Sequence, residues 1–314
     1  MSALDVLCFG EALVDLLPDR RGRLRDCERF SVHSGGAPAN VAVGLARLGL
    51  RAGFRGVLGD DEFGHLLERK LREEGVETSI RFIREARTGL WFVALDARGE
   101  RTFFSPGGGD SADKMIAEED ALAAPLEGAH WLHCGSSCHI RPEGLRALQL
   151  VVKRARAASV RVCFDPNVRA HLWRDLRDLR ALCESIFPLC TVVKLSDDEC
   201  EACVGERDPE RAAQRLRDLG VRLVCITRGE RGASALRGER WFHTAAPAVD
   251  VMDTTGAGDG FVAGLLSRLA REPDPNDEAL EAALAFGCTV GSSVCTKLGA
   301  VAGLPGNRAA RMHG

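Results

Sequence analysis

The sequence predicts an α/β fold of three layers, in which a mostly parallel central sheet lies between two layers of helices, with a small second sheet attached. Three observations carry this prediction. Short apolar runs of strand length alternate along the chain with longer segments of helical periodicity. These runs are apolar almost throughout, as in parallel sheets that are buried on both faces. Two other segments alternate polar and apolar residues around turn residues, which favours antiparallel hairpins with one exposed face.

The individual elements follow from the same patterns. We predict strands over residues 6–9, 54–58, 131–134, 160–164, 191–195 and 223–227, and helices over 39–48, 62–73, 143–157, 209–219 and 261–269. The helix over 209–219 is well delimited, because Asp208 can cap it, Pro209 opens it and Gly220 ends it. The two segments of alternating pattern, 13–34 and 88–104, are predicted hairpins, the second turning at Ala97-Arg98-Gly99-Glu100.

The domain organisation is predicted to be simple. We find no internal repeat or linker and therefore expect one domain over residues 1–314. The two hairpins, with the loop that follows the second, would form a lid of about residues 13–34 and 88–108 that is inserted in this α/β domain. Several polar residues fall at the carboxyl ends of predicted strands, where ligands bind in open α/β sheets. They are Asp165, Asn167, Lys194, Ser196, Thr227 and Gly229.

Composition and charge exclude several classes of protein. The formal net charge is −3, so no basic field argues for a nucleic-acid partner. No apolar run is long enough to span a membrane, and the N-terminus lacks a secretory signal pattern. The twelve cysteines are scattered, which is typical of reduced thiols, and the CxxC at Cys200 and Cys203 lacks the second pair of a zinc site. We expect a cytoplasmic protein without a membrane partner.

The most informative segment is DTTGAGDGF, residues 253–261, which leads into an apolar helix. A helix start presents unpaired N–H groups and a partial positive charge, and Gly256, Ala257 and Gly258 would let an anion approach them closely. Asp259 places a carboxylate at the same point. A carboxylate would repel a phosphate, so it does not suit a site that only holds phosphate, but it is explained if Asp259 takes a proton from a hydroxyl that attacks the phosphate. The segment therefore predicts phosphoryl transfer to an alcohol.

A second segment, GGAPAN over residues 35–40, precedes another predicted helix. Together the two segments resemble the paired signatures of the ribokinase-like (pfkB-type) sugar kinases. The resemblance covers nearly the whole chain, and the motifs at 10–15, 164–169 and 193–199 are most similar to those of fructokinases. It implies the ribokinase-like fold, ATP and Mg²⁺ as cofactors, and a small β-sheet lid over the sugar. It also implies that lids of neighbouring subunits pair into a homodimer.

The resemblance assigns a sugar side and a phosphate side. Asp15 and Asn40 would bind sugar hydroxyls, with Gly35 and Gly36 allowing the ring to approach the backbone. Asp259 would contact the sugar as the base. On the phosphate side, the assigned residues are Asn167, Arg169, Lys194, Thr227, Gly229 and Gly232.

Two metal sites are implied as well. Glu199, with Ser196 where the family carries Asn, would orient water bound to Mg²⁺. Asp253 and Thr255 match positions that bind a monovalent cation such as K⁺ in many relatives. The chain contains no P-loop, protein-kinase or dinucleotide-binding motif.

The function expected is that of an ATP-dependent kinase that phosphorylates a primary hydroxyl of a small sugar, above all fructose. The same chemistry on 2-keto-3-deoxygluconate, ribose or a riboside is the nearest alternative. A catalytically idle sensor and a nucleotide-binding structural protein are alternatives of other classes. No Arg or Lys occurs between Arg101 and Lys114, so we expect no cation over the substrate and a neutral sugar rather than an acid.

Overall fold

The computed structural model describes residues 3–20, 22–95, 101–105 and 110–306. Three parts of the predicted lid lie outside the described residues, namely residue 21, residues 96–100 with the predicted turn at 97–100, and residues 106–108, as does the side chain of Arg101.

The described strands are β1 (Val6–Phe9), β2 (Leu13–Pro18), β3 (Phe30–Gly35), β4 (Ala52–Gly59), β5 (Glu77–Ile83), β6 (Leu90–Leu95), β7 (Arg101–Phe104), β8 (Trp131–Cys134), β9 (Arg161–Phe164), β10 (Val192–Ser196), β11 (Leu223–Thr227), β12 (Ala233–Arg237) and β13 (Arg240–Thr244). The helices are α1 (Ala37–Arg47), α2 (Glu62–Glu73), α3 (Glu118–Leu122), α4 (Pro142–Ala157), α5 (Leu176–Ile186), α6 (Cys200–Val204), α7 (Pro209–Asp218), α8 (Ala257–Leu269) and α9 (Asp277–Val294).

The central sheet has the strand order β13-β12-β11-β10-β9-β8-β1-β4-β5. Its strands from β11 to β5 pair in parallel, and β12 and β13 add an antiparallel edge. Alternate residues of β1 enter opposite cores: Leu7 and Phe9 pack with α4, α5 and α7, whereas Val6 and Cys8 pack with α1, α8 and α9. The sheet is therefore buried on both faces, as its apolar strands predict.

The second sheet has the order β3-β2-β6-β7. Strands β2 and β3 form one antiparallel hairpin, and β6 and β7 form the other. The hairpins join through a parallel pairing of β2 with β6, in which Asp15 lies opposite Trp91. The small sheet is thus mixed rather than purely antiparallel.

Helix α8 begins at Ala257, four residues before the predicted start at 261. Gly258 and Gly260, which looked like loop residues, instead belong to its first turn. Gly256 precedes the helix in the left-handed conformation (φ +79°), which a residue with a Cβ rarely adopts. Asp259 is therefore a first-turn residue of α8. In the described part of the chain, none of the helices is both long and apolar enough to cross a bilayer.

Candidate active site

A cavity of about 800 Å³ opens at the carboxyl edge of the central sheet. The ends of β1, β9, β10 and β11 meet there, and the first turn of α8 and the small sheet close its sides. Of the residues assigned from the sequence, those that line it are Asp15, Gly36, Asn40, Asn167, Arg169, Lys194, Ser196, Glu199, Thr227, Thr255, Gly256, Gly258 and Asp259. The fold thus brings segments from the whole length of the chain to one place.

The first turn of α8 presents backbone donors to this cavity. Of the three N–H groups expected to face an anion, that of Ala257 donates to the Thr254 carbonyl oxygen (3.2 Å). The N–H groups of Gly256 and Gly258 have no acceptor among the residues that the structure describes. A Cβ on Gly258 would lie 2.9 Å from Lys194 Nζ, so glycine lets the ammonium reach the helix start. The arrangement suits an anion.

Asp259 is the carboxylate in that turn. It is 8% exposed, and its Oδ2 accepts a hydrogen bond from Asn40 Nδ2 at 2.8 Å. Burial, together with the charge of Asp165, raises the pKa of Asp259 from 3.8 to about 6, although Asn40 and Lys194 act in the opposite direction. A carboxylate with this pKa is ionised at neutral pH and is more basic than an exposed aspartate, as a general base needs to be.

Lys194, on β10, is buried beside the helix start. Its Nζ donates to Asp165 Oδ2 at 3.0 Å, and Asp165 Oδ1 accepts from the Asn167 N–H at 3.1 Å. Burial alone would lower the pKa of Lys194, but Asp165 and Glu199 raise it, so the ammonium remains charged. The cavity therefore contains a fixed cation next to free backbone donors, which is the chemistry that a phosphate requires.

The loops after β9 and β10 are tied together by Glu199. Its Oε1 accepts from the Val168 N–H (2.6 Å) and its Oε2 from the Ser196 N–H (2.8 Å). Asn167 has a positive φ of 45°, and its Oδ1 accepts from Arg169 Nη1 at 2.6 Å. Both oxygens of Glu199 are engaged, yet each has a second lone pair that can accept from water. Within the described ranges no group of three or more acidic, His or Cys side chains is arranged to hold a metal directly.

Close contacts require glycine at positions 35 and 36, on the side of the cavity that is predicted to bind the sugar. A Cβ on Gly35 would lie 2.3 Å from Asp15 Oδ2, and one on Gly36, whose φ is +102°, would lie 2.5 Å from the Glu11 carbonyl oxygen. Gly35 does not line the cavity, so its contribution is to give Asp15 room. Asp15 is 8% exposed and lines the same cavity as Asn40.

The predicted nucleotide loop follows β11. Thr227 lines the cavity and its Oγ1 donates to the Leu195 carbonyl oxygen (3.3 Å). Gly229 and Gly232 do not line it; they have positive φ values of 56° and 84°, and a Cβ on Gly232 would lie 2.0 Å from the Thr244 carbonyl oxygen. These two glycines shape the turn.

Asp253 holds the loop in front of α8. Its Oδ1 accepts from the N–H (2.9 Å) and the hydroxyl (2.7 Å) of Thr255, and its Oδ2 accepts from the Gly299 N–H (2.9 Å). The carboxylate thus joins two segments beside the helix start. Thr255 lines the cavity, whereas Asp253, 5% exposed, lies behind it.

Several further cavity residues were not assigned from the sequence, among them Glu11, Trp91, Lys114 and Ser137. Lys114 corrects the expectation that no cation approaches the substrate from this region. It lies in a 3₁₀ turn over Ala112–Met115 and is 1% exposed. Glu11 stood inside the motif at 10–15, but only the fold reveals that its side chain and that of Lys114 reach the same cavity.

Comparison with known proteins gives consistent matches. The model of the pfkB family of carbohydrate kinases matches residues 3–307. A fructokinase of Klebsiella pneumoniae is 40% identical over 305 residues, which cover 95% of this chain and 95% of that protein. A fructokinase of Salmonella typhimurium is 38% identical over 310 residues, with 96% and 97% covered.

Solved structures agree with these matches. The fructokinase from Vibrio cholerae O395, with fructose, ADP and calcium bound, has a TM-score of 0.86 and 32% identity, covering 99% of this chain and 98% of that one. The aminoimidazole riboside kinase from Salmonella enterica, complexed with aminoimidazole riboside and an ATP analogue, has a TM-score of 0.84 and 30% identity, with 98% of each chain covered.

Proposed function

Because the chain belongs to the pfkB family of carbohydrate kinases, we propose that it transfers the γ-phosphoryl group of ATP to a primary hydroxyl of fructose. The observation that carries the proposal is the first turn of α8, where a buried carboxylate with a pKa of about 6 lies beside free N–H groups. The names of the most similar relatives support fructose as the acceptor. The intact base and anion site argue against a catalytically idle sensor.

Asp259 accepts the proton of the attacking hydroxyl as the new oxygen–phosphorus bond forms. The bond between the γ-phosphorus and the bridging oxygen breaks at the same centre, and ADP leaves with the electron pair. The N–H groups of Gly256 and Gly258 and the ammonium of Lys194 stabilise the charge that develops on the transferred group. Arg169, held by Asn167, adds a further positive charge to the cavity.

The remaining assigned residues position the two substrates. Asp15, Asn40 and Gly36 bind sugar hydroxyls, and Gly35, which lacks a Cβ, leaves room for the Asp15 carboxylate. Asn167, Lys194 and Thr227 contact the nucleotide phosphates, and Gly229 and Gly232 shape the loop beside them.

Two metal ions complete the proposal. Mg²⁺ would neutralise part of the phosphate charge. Glu199 would hold it through bound water, which donates to the carboxylate lone pairs that the Val168 and Ser196 N–H groups do not use. A monovalent cation such as K⁺ would bind near Asp253 and Thr255 and tune the donors of α8.

The small sheet would serve as the lid and as the contact of a homodimer. It carries apolar side chains that face solvent, since Phe104 is 54% and Val32 is 42% exposed. Exposed apolar groups of this size are typical of association surfaces.

A coupled assay of ADP release across ketoses, aldoses, keto-deoxy acids and nucleosides tests the proposal. We expect kcat/KM for fructose to exceed that for 2-keto-3-deoxygluconate at least about tenfold, which corresponds to about 1.4 kcal/mol of transition-state binding. If a riboside proved to be the best substrate, a riboside kinase activity like that named for the Salmonella enterica protein would be favoured instead. A keto-deoxy acid as best substrate would refute the preference for a neutral sugar.

A further inference from the structure

A second group of charged side chains forms part of the wall on the sugar side of the cavity. It consists of Glu11, which follows β1, and of Asp113 and Lys114 in the 3₁₀ turn, and we call it the Glu11–Asp113–Lys114 cluster. Their exposed fractions are 3%, 0% and 1%. Glu11 and Lys114 line the same cavity as Asp15, Asn40 and Asp259.

The hydrogen-bonding capacity of this cluster is only partly used. Lys114 Nζ donates to Asp113 Oδ2 at 2.7 Å, its one hydrogen-bond partner within the described ranges, although an ammonium has three N–H donors. Glu11 Oε1 accepts a long hydrogen bond from the Ala37 N–H (3.3 Å), whereas Oε2 is buried without a partner in the described structure. Buried polar atoms without partners cost free energy, so a ligand that satisfies them gains affinity.

The ammonium of the cluster is charged and its thiol neighbour is neutral. Burial alone would lower the pKa of Lys114, but Asp113 and Glu11 raise it above its ordinary value, so the ammonium stays protonated. The neighbouring Cys138 is neutral, because burial and the charge of Glu11 raise the pKa of its thiol. Two carboxylates then face one ammonium, a formal net charge of −1.

We propose that Glu11 and Lys114 bind hydroxyl groups of the sugar and determine that the substrate is a neutral polyol rather than a carboxylate. A sugar hydroxyl can donate to Glu11 Oε2, and a hydroxyl oxygen can accept from Lys114 Nζ, so a polyol can satisfy both unused groups. A carboxylate brings no donor for Glu11 and adds a third negative charge beside one ammonium. The cluster, rather than the absence of a cation, therefore favours a neutral substrate. This inference rests on the proposed sugar kinase activity.

The test is a set of variants assayed with fructose, 2-keto-3-deoxygluconate and ATP. Glu11→Gln keeps the side-chain shape but loses the acceptor charge, and Asp113→Asn with Lys114→Met removes the buried ion pair as a unit. Each should raise the KM for fructose about tenfold or more, as expected for a lost hydrogen bond to a charged group, with the KM for ATP within about twofold. Glu11→Gln should also shift the kcat/KM ratio toward the acid.

The control separates recognition from folding. Asp120, 0% exposed, pairs with Arg55 at 2.7 Å in a buried ion cluster away from the cavity. Asp120→Asn should lower the melting temperature and leave the KM for fructose unchanged. If the Glu11–Asp113–Lys114 cluster only stabilised the fold, its variants would likewise lower the melting temperature and leave the KM for fructose unchanged. An unchanged KM for fructose in folded Glu11→Gln would therefore overturn the inference.

Deoxy analogues of fructose provide a readout in the unmodified enzyme. An analogue that lacks the hydroxyl bound by the cluster should lose affinity about tenfold, and Glu11→Gln should not weaken its binding further. If Glu11→Gln weakens every analogue equally, the inference fails. If the unmodified enzyme phosphorylates no neutral sugar, the proposed function itself fails, whatever the variants do.

Discussion

Replacing Asp259 by Asn should stabilise the protein while inactivating it. Burial, the largest cause, and Asp165 raise the pKa of Asp259 from 3.8 to about 6, so the folded state binds this proton more tightly than the unfolded state. A pKa difference of one corresponds to about 1.4 kcal/mol, so the ionised group costs about 3 kcal/mol of stability at pH 7. This destabilisation is absent at pH values below the pKa of Asp259 in the unfolded state, and it is fully present above the pKa of Asp259 in the folded state. Asn is neutral, and its carbonyl oxygen can still accept from Asn40.

The assay is unfolding of Asp259→Asn and the unmodified protein at pH 7 and at pH 4. At pH 7 the variant should gain up to about 3 kcal/mol, or roughly 4 °C in Tm at about 2.1 cal/mol/K per residue. At pH 4 most of this gain should disappear. Asp61, which caps α2, is a matched control: although burial raises its pKa, hydrogen bonds from Thr88 and Gly64 lower it overall. Asp61→Asn should therefore lose stability at pH 7.

The same Asp259→Asn variant should lower kcat by at least about a hundredfold, the usual contribution of a positioned base, with little change in ATP affinity. A stability gain of equal size at both pH values would refute the account of the buried charge. Turnover near that of the unmodified enzyme would refute the role of Asp259 as base.

Three further predictions concern the same site. Because the base works ionised, kcat/KM should rise with pH through about 6 and level off above it, and a flat profile between pH 5 and 8 would contradict this. Asp15→Ala should raise the KM for the sugar strongly and that for ATP little; the reverse would mean that the two sides of the cavity are exchanged. Activity should rise when K⁺ replaces a bulky organic cation, because a cation near Asp253 and Thr255 tunes the α8 donors; equal rates in potassium, sodium and organic salts would exclude such a cation site.

The fold was largely predictable because its strands are buried on both faces. The strands over 6–9, 131–134 and 223–227 have the predicted bounds, since each run is followed at once by a glycine or a charged residue. The hairpin of β12 and β13 was not predicted, because β13 is partly exposed and lacks the continuous apolar run of the central strands. The start of α8 was placed too late, because glycine is a poor helix former and only the packed first turn overrides that preference.

Residues of the candidate site could be predicted only where they lie within a recognisable sequence motif. Asp259 and Asn40 lie in two glycine-rich segments, and the structure joins them by a hydrogen bond across 219 positions of sequence. Lys114 has no such signal, since a lysine in a polar turn ordinarily faces water. Its burial against Asp113 depends on how the turn packs against β4 and α4, which no local pattern encodes.

The central claim is transfer of a phosphoryl group from ATP to a primary alcohol of a neutral sugar. Phosphorus NMR of a reaction with fructose and ATP tests it most directly, because it identifies the product and counts it against ADP. The account predicts a single phosphate monoester at a primary carbon, formed in a one-to-one ratio with ADP and undetectable with Asp259→Asn on the same time scale. Release of ADP and inorganic phosphate without a sugar ester, or an ester at a secondary hydroxyl, would contradict it.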